Sequence, residues 1–196
     1  MLNLKLDAAA QGRLLQYLVL IEKWNRVHNL TAVRDVNDML THHLLDSLAV
    51  LPHLLGATSL LDVGSGAGLP GIPLAIAGPT LAVTLLDSSQ KRLAFLTQCK
   101  AELKLENVST VHQRVEDYHP AQGFDVIISR AFADLSEFVA KVSRHSKQGG
   151  RLLAMKGRYP EQEIAKLVYP NRVTKVIELI IPELNAQRHL VEIAVS

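Results

Sequence analysis

The sequence predicts an α/β fold in which a mainly parallel β-sheet is covered by helices on both faces. From Ser59 onward, short apolar runs of strand length alternate with helical patterns, as in a doubly wound sheet. The first of these runs leads into a glycine-rich turn, a connection typical of such sheets. The last two runs are joined by a loop too short for a helical crossover, so they should pair antiparallel.

A helical cap should precede this sheet. Residues 7–28 place apolar side chains at helical spacing after Asp7, which can cap the helix. Asp35 can cap a second helix, and Pro52 and Gly56 end it. Because both helices come before the glycine-rich strand, we expect them to pack beside the main sheet.

The elements of the sheet follow in order along the chain. The five parallel strands are expected at Ser59–Val63, Ala82–Asp87, Val108–Gln113, Phe124–Ser129 and Arg151–Lys156. The helices are expected at Gly71–Ala77, Ser89–Leu105, Asp134–Ser146 and Pro160–Val168. The antiparallel strands are expected at Arg172–Ile181 and His189–Val195. This arrangement resembles the Rossmann-like seven-stranded sheet of class I methyltransferases, whose last strand runs antiparallel.

Length and composition fit a globular protein. At 196 residues the chain can bury a sizeable core, and its 48% hydrophobic and 20% charged residues are ordinary. We expect the cap, residues 1–56, and the sheet domain, residues 57–196, to pack as one globular unit. The net charge of +2 permits a nucleic-acid partner, but any basic surface must come from local clustering.

Several features of the sequence indicate the cellular compartment in which the protein is expected. No apolar run approaches the roughly 20 residues needed to span a bilayer, and we find no signal-peptide pattern. Cys99 is the single cysteine, so no intramolecular disulfide can form. Its place in a helical pattern favours a small buried side chain over a nucleophile. We therefore expect a soluble cytoplasmic protein that does not contact membranes.

The stretch 60–73 contains the strongest local signal. Four of its glycines fall close together, although each glycine costs backbone entropy when it becomes ordered. Gly66, Gly68 and Gly71 match the dinucleotide fingerprint G-x-G-x-x-G, so a nicotinamide or flavin enzyme is one interpretation. A tight β–α turn without any ligand is another.

Two details of this turn favour S-adenosylmethionine over a dinucleotide. Asp62 precedes Gly64 by two residues and gives D-x-G-x-G-x-G, which resembles the first motif of S-adenosylmethionine-dependent methyltransferases. An acid at this position can meet the cationic methionine portion, directly or through water. Pro70 and Pro73 also remove backbone N–H donors that a pyrophosphate would use.

Further positions lie at the carboxyl ends of the strands, where a doubly wound sheet binds its ligand in a crevice. Asp87 ends the second strand, where a carboxylate can accept both ribose hydroxyls; capping the next helix is the alternative. Backbone groups of Val115 and Glu116 can hydrogen-bond the edge of a purine, and an acidic side chain can accept from the purine amino group. The alternative is that these residues form a solvated run of charged side chains. Arg130 follows the fourth strand and should meet a carboxylate or phosphate there, or form a purely structural ion pair.

Motifs along nearly the whole chain resemble one family. They are Trp24-Asn25, Asn29-Leu30-Thr31, His43-Leu44-Leu45-Asp46-Ser47, Asp62 to Leu74, Leu86-Asp87-Ser88, Lys91-Arg92, Ser129 to Ala133, Lys156-Gly157 and Arg188-His189-Leu190. The family is RsmG, also called glucose-inhibited division protein B, the ribosomal RNA small-subunit methyltransferases G. The match includes the helical cap, which the generic fold does not share.

This resemblance implies both a fold and an activity. It implies a class I S-adenosylmethionine-dependent methyltransferase with an N-terminal helical cap, acting on N7 of one guanine in 16S rRNA near the decoding site. The implied cofactor-contacting positions are Gly64, Leu69, Val115, Glu116 and Arg130. The motif and strand-end arguments above add Asp62, Gly66 and Asp87. We expect a monomer whose partner is 16S rRNA, within the small ribosomal subunit or a precursor.

Basic residues at the mouth of the crevice are candidates for RNA contacts. Lys156 ends the fifth strand and Arg158 follows it, while Arg188 and His189 open the last strand at the same edge of the sheet. Basic residues of the cap can extend this patch or form an ordinary solvated helix face; they are Lys23, Arg26 and Arg34.

Methylation at guanine N7 requires little acid–base chemistry. N7 carries a lone pair and no proton, so the reaction needs an in-line approach but no general base. We therefore assign no catalytic residue firmly and keep Arg130 as a positioning candidate. His42 and His43 lack a third ligand at a familiar spacing, so we predict no metal site. A nicotinamide-dependent oxidoreductase and a non-catalytic module that docks on RNA or protein are the alternatives.

Overall fold

The computed structural model describes residues 4–167 and 171–195. The strands are β1 (Ser59–Val63), β2 (Ala82–Asp87), β3 (Val108–His112), β4 (Phe124–Ser129), β5 (Ser146–Lys156), β6 (Arg172–Glu178) and β7 (His189–Ala194). They form one sheet in the order β3-β2-β1-β4-β5-β7-β6. β1 to β5 are parallel, and β7 is antiparallel to both of its neighbours. The predicted fold class is therefore confirmed.

Helices cover both faces of this sheet. They are α1 (Ala8–His28), α2 (Val36–Met39), α3 (Asp46–Leu48), α4 (Gly71–Ala77), α5 (Gln90–Glu102), α6 (Leu135–Val142) and α7 (Glu161–Ala165). A π-helical stretch, Leu40–Leu45, joins α2 to α3, and short 3-10 turns occupy Leu51–Leu54 and Ser143–His145. Within the described residues, no helix is long and apolar enough to cross a membrane.

Three elements differ clearly from the predictions. β5 begins at Ser146 rather than Arg151, because its polar, glycine-containing first half joins the sheet across a register irregularity opposite β4. The second cap helix is interrupted by the π-helical stretch, whereas its apolar pattern predicted an uninterrupted helix. The helix predicted for residues 160–168 is shorter, and Val168 lies outside the described residues.

The cap and the sheet share one apolar core. Asp7 caps α1 as predicted, since its Oδ1 accepts from the Ala10 amide at 2.7 Å. Tyr17 of α1 is fully buried, and its hydroxyl donates to the Ala67 carbonyl in the glycine-rich turn. Trp24 packs edge-on against Phe95 of α5, with 5.4 Å between ring centroids. Each fully buried Leu, Ile or Phe side chain of this core contributes about 1.5–3 kcal/mol. The division of the chain after residue 56 stays a prediction.

A cluster of polar contacts around Asp125 connects β1, β4 and β5 at the edge of the sheet where these parallel strands begin. Asp125 of β4 accepts from the amides of Thr58 at 2.9 Å and Ser59 at 3.0 Å through Oδ2. Its Oδ1 lies 2.7 Å from Nζ of Lys147 in β5. The Lys147 ammonium and these donors hold the pKa of the Asp125 carboxyl well below its usual range. This cluster lies at the opposite edge from the glycine-rich turn.

Candidate functional site

The glycine-rich turn presents bare backbone at the carboxyl end of β1. Gly64, Gly66 and Gly68 have φ angles of +71°, +58° and +85°, a region that residues with a Cβ rarely adopt. A Cβ on Gly64 would lie 3.0 Å from the Cβ of Ala131 in the loop after β4. The turn therefore needs glycine both for its conformation and for close packing.

Asp62 lies beneath this turn and is fully buried. Its Oδ2 accepts from the Gly71 amide at 2.9 Å, which anchors the start of α4. Its Oδ1 has no hydrogen-bond partner among the described residues. Burial raises the pKa of the Asp62 carboxyl to about 7. The carboxyl thus holds the protein's own backbone through Oδ2. Contact between Asp62 and a cofactor stays a prediction.

We expect Asp62→Asn to remove a pH dependence of stability. A carboxyl with a pKa of about 7 when folded and about 3.9 when unfolded binds more protons in the folded state between these values. Stability should therefore fall as pH rises through this window, by up to about 1.4 kcal/mol per unit. The amide oxygen of the substituted side chain can still accept from Gly71, but the amide does not titrate. Urea unfolding of both proteins across this window measures the effect, and a constant difference between them contradicts it.

Asp87 is buried at the end of β2 and organises two neighbouring segments. Its Oδ2 accepts from the Gly66 amide at 2.8 Å, and its Oδ1 accepts from the Ser89 amide at 2.8 Å. Ser89 itself is the N-cap of α5. Arg92 adds a longer ion pair, 3.5 Å from Oδ2. Asp87 therefore supports the glycine-rich turn directly, and each of its oxygens retains a lone pair for a ligand.

An outer pocket of about 250 Å³ opens beside Asp87. The loop after β3 forms one wall, and it contains Val115 and Glu116. The Val115 carbonyl accepts from Arg144 Nη2 at 3.1 Å and pairs with His145 Nε2 at 3.0 Å, which fixes the loop. The exposed Glu116 carboxylate lies 3.0 Å from Lys141 Nζ. The structure thus brings Asp87, Val115 and Glu116 together around one pocket.

Two further spaces continue the outer pocket along the carboxyl edge. The glycine pocket, about 170 Å³, is lined by Gly64, Gly66 and Leu69, and shares Gly64 with the outer pocket. The cap cavity, about 320 Å³, lies between the helical cap and the sheet. Thr31 and Arg130 line both the glycine pocket and the cap cavity. The three spaces therefore lie next to one another along the edge that we call the crevice, and Arg130 stands at the border of the last two.

Arg130 is held by a residue that the sequence analysis did not single out. Its Nη1 lies 3.0 Å from Oδ2 of the buried Asp46 and donates to the His42 carbonyl at 3.2 Å. Arg188 approaches the other oxygen, with Nε 3.1 Å from Asp46 Oδ1. Burial raises the pKa of the Asp46 carboxyl, while Arg130 and Arg188 oppose that rise. Asp46 is therefore the carboxylate partner of Arg130 in an ion pair within the protein, and contact of Arg130 with a ligand stays a prediction.

The four candidates for RNA contacts lie at this edge but differ in their surroundings. Lys156 Nζ donates to the Phe132 and Ala133 carbonyls and lies 2.7 Å from Glu163 Oε2. The buried His189 bonds the Gly157 carbonyl through Nδ1 at 2.8 Å. Arg158 is exposed, and Arg188 is partly exposed. The cap residues Lys23, Arg26 and Arg34 are all exposed, while Arg26 pairs with Glu22 at 2.6 Å and Arg34 Nη2 donates to Asn29 Oδ1 at 2.7 Å. Their binding of RNA stays a prediction.

His43 of the cap cavity and Cys99 of α5 are both buried. Burial lowers the pKa of His43 to about 4, and its Nε2 is 2.9 Å from Thr31 Oγ1. Cys99 is buried in α5, and burial raises the pKa of its thiol. In the part of the chain that the structure describes, no three His, Cys, Asp or Glu side chains form a group that could hold a metal ion.

Comparison with known proteins places this site in a family. The chain is 52% identical to a ribosomal RNA small subunit methyltransferase G of Aromatoleum aromaticum, over 97% of this chain and 92% of the relative. It is 54% identical to a protein of the same name from Burkholderia cenocepacia, over 100% and 88%. A SAM-dependent methyltransferase of Aquifex aeolicus shares the fold, with TM-score 0.59, 21% identity and coverage of 81% and 93%. The family model GidB, rRNA small subunit methyltransferase G, matches residues 10–191, and the chain belongs to this family.

Proposed function

We propose that this methyltransferase transfers a methyl group from S-adenosylmethionine to N7 of a guanine in 16S rRNA. The family membership supports the reaction class and the ribosomal RNA of the small subunit. The observation that carries the finer proposal is the row of adjacent spaces, in which Arg130 borders both the glycine pocket and the cap cavity. One end of the crevice suits the methyl donor, and the other suits a nucleobase.

The residues of the first two pockets fit S-adenosylmethionine. Asp87 offers carboxylate lone pairs for ribose hydroxyls, and Val115, which is 7% exposed, offers an apolar wall for a purine. Gly64 and Gly66 expose backbone without side chains beside the glycine pocket, where the methionine portion would lie. The cofactor, when bound, supplies a methyl group activated by its sulfonium charge.

The chain's residues position the acceptor rather than move a proton. Guanine N7 carries a lone pair and no proton, so its methylation requires alignment and no general base. This agrees with the cap cavity, where His43 has a pKa of about 4 and Asp46 is held by two arginines. Arg130 can orient a base there, because its Nη2 and Nε donate to no acceptor in the described residues.

The RNA must offer its N7 edge outside a regular duplex. N7 lies in the deep, narrow major groove of A-form RNA, which side chains do not reach. We therefore propose an opened or irregular loop as the target, approached by the exposed Arg158 and the partly exposed Arg188. A monomer acting in the cytoplasm on the small ribosomal subunit or its precursor is the simplest form of this proposal.

A labelled methyl-transfer assay tests the proposed function. The protein is incubated with methyl-labelled S-adenosylmethionine and with small ribosomal subunits from cells that lack this modification. We expect label at N7 of one guanine, located by base mapping. Naked 16S rRNA and precursor particles, tested in parallel, identify the natural substrate. Absence of label from all three substrates, or label on another atom, would overturn the proposal.

A further inference from the structure

Asp46 connects the helical cap to the two arginines of the crevice. It lies at the start of α3, directly after the π-helical stretch, and its side chain is 2% exposed. Arg130 comes from the loop after β4, and Arg188 comes from the residue before β7. The two guanidinium groups occupy different oxygens of the same carboxylate, at 3.0 and 3.1 Å. One buried anion therefore fixes two cations that come from different segments at the cap cavity.

Only part of each arginine is used in this arrangement. Arg130 contacts Asp46 and the His42 carbonyl through Nη1 alone, and Arg188 contacts Asp46 through Nε. Their side chains are 31% and 23% exposed, and both line the cap cavity. A long, flexible arginine side chain loses considerable freedom when it is fixed. Holding it before the substrate arrives reduces the ordering required during the reaction.

We propose that Asp46 is a positioning residue for the methyl-transfer reaction, acting through Arg130 at the border between the glycine pocket and the cap cavity. This inference rests on the proposed function. Both oxygens of Asp46 are engaged by guanidinium groups, so its effect on the reaction passes through them. Its contribution is to hold Arg130 in an orientation in which the guanidinium group borders both spaces. Arg188, directly before the last strand, fixes the other oxygen of the carboxylate.

Asp46→Asn tests the proposal, because the amide can accept from one arginine but turns N–H groups toward the other. We expect the single-turnover rate at saturating subunit and cofactor to fall about 10- to 100-fold. The affinity for S-adenosylhomocysteine should change less than about threefold, since the outer pocket is intact. Asp46→Glu, which keeps two charged oxygens, should recover most of the rate. A wild-type rate in Asp46→Asn overturns the proposal.

A double variant separates positioning from a general loss of stability. If Asp46 acts through Arg130, adding Asp46→Asn to Arg130→Ala should slow the reaction no further. Losses that multiply in the double variant overturn the proposal. Asp125→Asn is the matched control: it breaks a 2.7 Å ion pair at the opposite edge of the sheet and should lower the melting temperature without slowing methyl transfer.

A third variant keeps the test decisive if Asp46→Asn does not fold. Arg188→Gln removes the second guanidinium group from Asp46 but leaves the contact between Asp46 and Arg130. We expect the single-turnover rate at saturating subunit to fall about 3- to 10-fold. An unchanged rate overturns the proposal. Wild-type protein that transfers no methyl group would instead overturn the proposed function, so the two failures are distinguishable.

Discussion

Replacing Arg130 with alanine should slow methyl transfer by about 10²- to 10³-fold, the loss typical when one positioned donor is removed from a reacting site. Arg130 borders both the glycine pocket and the cap cavity, and no other described side chain with free N–H groups holds the same place. The fold should remain intact, because Arg188 still pairs with Asp46. Single-turnover transfer at saturating subunit measures the loss, and circular dichroism confirms the fold.

Arg151→Ala provides the matched control for this prediction. Arg151 pairs with Glu192 at 3.3 Å and is 32% exposed, close to the 31% of Arg130. It lies in the middle of β5, where it pairs with the end of β7, away from the crevice. Removing it breaks a partly exposed ion pair, which should cost less than about 1 kcal/mol of stability, and should leave the rate unchanged. Equal rates for the two variants would remove Arg130 from the site.

The central strands could be predicted because they are mainly apolar runs. β1, β2 and β4 begin and end at the predicted residues, since parallel strands buried on both faces carry an unbroken hydrophobic signal. The first half of β5 lacks that signal: residues 147–150 are polar or glycine. That segment becomes a strand only through pairing with β4, and a local pattern cannot reveal such pairing.

The crevice could be predicted in outline for a topological reason. Parallel strands end at one edge, so the residues that follow β1, β2, β3 and β4 must meet there. This rule predicted that the glycine-rich turn, Asp87, Val115 and Arg130 lie close together. The methyltransferase interpretation is confirmed by the family match, and with it the choice of S-adenosylmethionine over a nicotinamide cofactor.

The contacts between side chains could not be predicted in the same way. Asp46 lies 84 residues before Arg130 and 142 before Arg188, and its motif gives no sign of which cations it meets. The π-helical stretch before it has an ordinary helical pattern, while His43 reaches Thr31 through tertiary packing. Similarly, the basic character of Lys156 suggested a phosphate contact, but its ammonium group bonds Glu163 and two carbonyls.

Replacing Gly66 with valine should weaken the binding of S-adenosylhomocysteine by about 100-fold, which corresponds to roughly 2.7 kcal/mol. Gly66 lines the glycine pocket, and a Cβ there would have the Gly64 carbonyl as its nearest neighbour, at 3.8 Å. The free protein can therefore hold the extra side chain, but it would occupy the space where ligand and backbone approach each other. Isothermal titration calorimetry with S-adenosylhomocysteine measures the loss.

Backbone strain must be separated from this steric effect. Gly66 has a φ of +58°, so any side chain there costs about 1–2 kcal/mol of stability, whether or not a ligand binds. Gly56→Val is the matched control, because Gly56 has a φ of +82°, has no heavy atom within 4 Å of an added Cβ, and precedes β1 at the far edge of the sheet. Both variants should be destabilised, but only Gly66→Val should lose affinity. If Gly66→Val binds as tightly as Gly56→Val, the glycine pocket does not hold the methyl donor.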